Sequence, residues 1–94
     1  MEEISISITI DENSNDITIA SSNSKSITIF YSNKQLSAKE IYNVLAYSQE
    51  CKYSVQAQDF NSEDANLKDY FNNIVSLLKD ICEDINRINS TEEE

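Results

Sequence analysis

The chain has 94 residues, 17 acidic and 7 basic side chains and a net charge of −10, and it contains no glycine, proline or histidine. These absences set aside most enzyme chemistry, because phosphate-cradling loops need glycine for close backbone approach and histidine is the commonest general base and zinc ligand. The length supports a single domain, placed at residues 1–89 with an acidic tail at 90–94, and its turns must be made by Asn, Asp and Ser.

Residues 4–10 alternate Ile with Ser or Thr, the period-two pattern of a strand with one apolar and one polar face. The pattern returns at Ile17–Ala20 and at Ile27–Tyr31, separated by the short polar stretches 11–16 and 21–25. An antiparallel meander follows from such short connections. One face carries Ile4, Ile6, Ile8, Ile10, Ile17, Ile19, Ile27 and Ile29 and needs a cover. The other carries Ser5, Ser7, Thr9, Thr18, Ser26 and Thr28, with Phe30 as the exception. That second face reads either as a solvated surface or as a docking or edge-pairing surface.

A helix is predicted to begin at Ser37, where Ser37 and Glu40 form a capping box and Leu36 and Ile41 occupy the positions of a hydrophobic staple. Ile41, Val44, Leu45 and Ser48 mark one of its faces. The spacing then returns to two at Cys51, Tyr53, Val55 and Ala57, which predicts a short fourth strand or extended connector over 52–57.

From about Ser62 one long helix is predicted, with Leu67, Phe71, Ile74, Leu78, Ile81, Ile85 and Ile88 at alternating spacings of four and three. The whole is an α+β domain in the order β-β-β-α-β-α: a three- to four-stranded antiparallel sheet covered by two helices. Ile8, Ile19, Ile29, Ile41, Leu45, Phe71, Ile74 and Leu78 are expected in its core. At 1.5 Å per residue the last helix is roughly 42 Å long, against a radius of gyration of ~12–13 Å for a globule of this size. Two readings of the seam follow: Leu78, Ile81, Ile85 and Ile88 overhang and make a homodimer interface, or the helix lies wholly on its own sheet.

Asp11, Asn13 and Asn15 open like a calcium loop, but Asp16 stands where the turn needs Gly and Ser22 where a bidentate Glu belongs, so a hairpin loop is expected. Cys51 and Cys82 form no CxxC pair and read as buried thiols. No metal, cofactor or catalytic residue is assigned. Nothing in the sequence resembles a membrane span or a secretory signal, which predicts a cytoplasmic protein with no membrane contact. The abundance of Ile, Asn, Ser and Tyr with a single Arg points to AT-rich coding sequence, as in a low-GC bacterium or its phage.

Residues 59–94 hold ten carboxylates against Lys68, Lys79 and Arg87. Glu63, Asp64, Asp69, Asp80, Glu83 and Asp84 fall outside the apolar seam and form the candidate partner-binding surface. Such a face is either a solubilising coat or an imitation of a phosphate backbone, fitted to the basic groove of a nucleic-acid-binding protein. Direct binding of nucleic acid is electrostatically disfavoured. In size, charge, AT-rich composition and lack of catalytic residues, the chain resembles, as a class, the small acidic inhibitors that phages encode against host defence, including anti-CRISPR proteins and DNA-mimic restriction inhibitors. The resemblance implies a stoichiometric protein–protein inhibitor without a cofactor. An assembly or regulatory subunit, such as a phage accessory protein, and a small-molecule sponge with a cationic pocket are the alternatives.

Overall fold

The computed structural model describes residues 2–23, 25–31, 41 and 51–92. Four strands, β1 (Glu2–Ile10), β2 (Ile17–Ser21), β3 (Ser26–Ile29) and β4 (Cys51–Ala57), precede a helix, α1 (Ala65–Glu92). The strands form one sheet in the order β3-β2-β1-β4.

The Ile–Ser/Thr alternation produces the meander β1-β2-β3, both of whose ladders are antiparallel. Register aligns the isoleucines across strands: Ile8 lies opposite Ile19 and Ile19 opposite Ile27, while Ile10 lies opposite Ile17 and Ile17 opposite Ile29. Asn15, at φ 63°, takes the left-handed conformation that glycine would otherwise supply at the β1–β2 loop. The Asp11 carboxylate closes this loop by accepting from the N–H groups of Asn13 (2.7 Å) and Ser14 (3.1 Å). Those two bonds hold the Asp11 carboxyl below its usual range.

The expectation of a wholly antiparallel sheet is corrected at β4, which runs parallel to β1, with Ile4 opposite Tyr53 and Ile6 opposite Val55. A parallel pair needs a crossover, and residues 30–50 are long enough to make one. Within residues 32–50, Ile41 is described: it is helical and fully buried in the core. The predicted helix start at Ser37, its partners Leu36 and Glu40, and the core candidate Leu45 lie outside the described residues.

Helix α1 starts at Ala65, three residues later than predicted, because Asp64 supplies the cap: its Oδ1 accepts from the N–H groups of Asn66 (3.0 Å) and Leu67 (3.3 Å). The helix runs on to Glu92, past residue 90. Its Leu67, Phe71, Ile74, Leu78 and Cys82 join the isoleucines of β1, β2 and β3 in the core. Burial of each large apolar side chain stabilises the fold by ~1.5–3 kcal/mol. The expected core residues Ile8, Ile19, Ile29, Ile41, Phe71, Ile74 and Leu78 are all buried. With extents of 46 × 20 × 19 Å, the molecule takes its long axis from this helix. No helix among the described residues is long and apolar enough to cross a membrane.

Candidate protein-binding surface

A helix lying on a sheet turns one side to the core and the other to water. With 100° of turn per residue, Asp69, Asp80, Glu83 and Asp84 fall within about 100° of one another, opposite the stripe of Leu67, Phe71, Ile74 and Leu78. All six predicted partner-binding carboxylates, those four with Glu63 and Asp64, are exposed. They form two groups. Glu63, Asp64 and Asp69 gather at the start of α1, and Asp80, Glu83 and Asp84 lie further along, with Asn72, Asn73 and Ser76 between them.

The two groups differ in what they do for the fold. Asp64 is committed to capping, so its carboxylate serves the helix as well as the surface. Of the second group, Asp84 pairs with Arg87 one turn on, both side chains largely exposed. A solvated pair of this kind contributes little to stability, and it partly neutralises that end of the surface.

The predicted seam is largely taken up by the chain's own core. Leu78 is fully buried, and Ile81 and Ile85 are half-buried against the core. Ile88 remains 58% exposed, and Leu77, on the flank of the seam, 41%. The apolar strip left along α1 for another molecule is therefore narrow.

Two asparagines that sequence reasoning passed over do specific work at the edge of the sheet. Asn86 accepts from the N–H of Tyr53 through Oδ1 (2.8 Å) and donates to the Tyr53 carbonyl through Nδ2 (2.8 Å). Asn89 donates to the carbonyl of Cys51 (2.7 Å). An amide side chain offers the same donor and acceptor as a peptide unit, so Asn86 stands in for a neighbouring strand along the outer edge of β4. Their signal in the sequence is a spacing of three beside the seam, which any pair of solvated asparagines shares.

Beside Asn86 lies an open groove of about 140 Å³ lined by Tyr53 and Val55 of β4 and by Lys79, Cys82, Glu83 and Asn86 of α1. Pockets for small organic ligands span roughly 300–1,000 Å³. The groove holds a single cation, Lys79, beside the carboxylate of Glu83, which suits an anionic small molecule poorly. Burial pushes the Cys82 thiol up to about 11, so this sulfur stays protonated and a weak nucleophile.

No family model matches the chain, and no curated protein or solved structure matches it either.

Proposed function

We propose that this protein is a non-enzymatic, acidic protein-binding inhibitor whose target is a basic nucleic-acid-binding protein, of the kind that anti-CRISPR and DNA-mimic proteins engage. The observation that carries this reading is the placement of Asp69, Asp80, Glu83 and Asp84 on the outward side of a long helix whose inward side is anchored in the core. Rigid backbone under exposed carboxylates is what a phosphate-like surface needs, since a backbone already fixed by the core loses little further entropy on binding. The second group is the centre of the surface, because none of its members caps the helix. A homodimer belongs to the reading, since it doubles the number of carboxylates displayed.

The test is a triple reversal, Asp80→Lys, Glu83→Lys and Asp84→Lys. Circular dichroism and thermal melting are expected to stay close to wild type, because all three are exposed. Capture of basic nucleic-acid-binding proteins from a bacterial lysate, identified by mass spectrometry, is expected to be lost. Equal capture by the folded variant would reduce the carboxylates to a solubilising coat.

A further inference from the structure

The two edges of the sheet are treated differently. On β4, Asn86 and Asn89 of the helix take both backbone groups of Tyr53 and the carbonyl of Cys51, at the start of the strand. On β3 the N–H of Ser21 bonds the carbonyl of Lys25 (2.7 Å), which fixes the odd-numbered residues of β3 as those facing β2. The backbone groups of Ser26, Thr28 and Phe30 therefore point outward. Among the described residues nothing pairs with them, and an unpaired row of this kind is a template for another strand.

From this we infer that β3 is the homodimer interface, pairing antiparallel with β3 of a second copy across a two-fold axis so that the two sheets become one. The inference rests on the homodimer named in the proposed function and moves it from the helix seam to the sheet edge. In this arrangement Thr28 exchanges both backbone hydrogen bonds with Thr28 of the second copy, and Ser26 pairs with the second copy's Phe30. Ile27 then lies opposite the second copy's Ile29. A two-fold axis centred on Thr28 is the register that pairs all three outward-pointing residues, Ser26, Thr28 and Phe30, at once.

Two further observations favour a second copy as the occupant. The first is apolar surface at this edge. Ile27 packs on the core yet is only half-buried, and Phe30 is 58% exposed. Both gain cover from a neighbouring strand. The second is charge. Two chains of −10 repel, and contact is least costly where carboxylates are absent. The described residues from Ile17 to Tyr31 contain no Asp or Glu and include Lys25. Helix α1, with its carboxylates, packs toward β4 at the opposite edge. At ~4.8 Å per strand the two β4 strands of the dimer lie roughly 34 Å apart, beyond the screening distance of ~8 Å at physiological salt. Both acidic surfaces thus stay free for a target.

Three variants test this without touching the acidic surface. Thr28→Pro removes an outward N–H that β2 does not use, so the sheet keeps its own ladder and loses its edge. Phe30→Lys places a charge in the proposed contact and serves if the proline variant does not fold. Thr28→Cys brings two thiols together on the axis, where a Cα separation of ~5.5 Å permits a disulfide; Thr9→Cys, exposed on the central strand β1, is its control. In light scattering at high micromolar concentration, wild type is expected at twice the monomer mass, and whichever of the first two variants folds is expected to dimerise at least tenfold more weakly. Mild oxidation is expected to link the two chains of Thr28→Cys covalently and leave Thr9→Cys unlinked, running as single chains in a denaturing gel. A monomeric wild type, a folded Thr28→Pro or Phe30→Lys variant that dimerises normally, or dissociation by Ile88→Asp instead would overturn the assignment. None of these outcomes depends on target capture, so failure here and failure of the Asp80, Glu83 and Asp84 reversal are separate results.

Discussion

Asn86 shows how much one side chain can settle. The outer edge of β4 lies against a helix, where water reaches the backbone poorly, and a peptide group left unpaired in such a place costs about 1–3 kcal/mol. Asn86→Ala removes the amide that faces both polar atoms of Tyr53. A loss of that size is expected in urea denaturation, while Asn86→Asp keeps the acceptor and loses the donor and should fall between. Cys82 makes a prediction of a different kind. Its thiol is raised from 9.0 to about 11 by burial, so the native state holds a proton that the unfolded chain releases first. The stability this contributes is complete below pH 9 and is lost as pH rises towards 11. Tyr70 titrates high for the same reason, with Asp16 and Tyr31 adding to it. Comparison of wild type with Cys82→Ala in alkaline melts isolates the sulfur, and the variant is expected to show the shallower decline.

Among the elements, α1 carries the cover of the isoleucine face, and its two sides should respond differently to truncation. Ile74 is 5% exposed and Ile29, on the sheet side of the same core, 4%. Ile74→Ala or Ile29→Ala is expected to cost ~2–5 kcal/mol by equilibrium denaturation. Ile88→Ala, at a position mostly in water, should change stability by less than about 0.5 kcal/mol. The elements also show what a sequence can convey. Alternation at period two told which residues of β1, β2 and β3 face inward, and the spacing of four and three did the same for α1. Neither pattern names a neighbour: Cys51, Tyr53, Val55 and Ala57 announce a strand, but nothing in them says that it lies beside β1 or runs parallel to it. The acidic surface was legible because exposure follows from helical period alone. The capping role of Asp64 was missed because the apolar seam leaves the first turn undefined, and the edge bonds of Asn86 and Asn89 because they depend on how the helix lies along β4.

At the scale of the whole molecule, charge acts on folding and on binding with opposite signs. A net charge of −10 on 94 residues repels itself most in the compact state. Raising salt from 0.1 to 1 M shortens the screening distance from ~10 Å to ~3 Å, which relieves that repulsion and weakens attraction to a basic target. The melting temperature is therefore expected to rise with salt over the range in which target association slows and weakens. Scanning calorimetry and surface plasmon resonance on one salt series measure both, and parallel trends would mean that the carboxylates do not make the contact.

The placement of β1 at the centre of the sheet has a consequence for how the protein is made. Its first neighbour, β2, emerges from the ribosome soon after it, but its second, β4, begins at Cys51, and the helical cover is complete only near Asn89. At ~5–20 residues per second, the roughly 60 residues between the end of β3 and the end of α1 take about 3 to 12 seconds to synthesise. For that interval the growing chain presents a ladder of isoleucines without the cover that α1 supplies. A nascent chain stalled before Ala65 should therefore occupy chaperones or aggregate, whereas one that has passed Asn89 can close over its own apolar face.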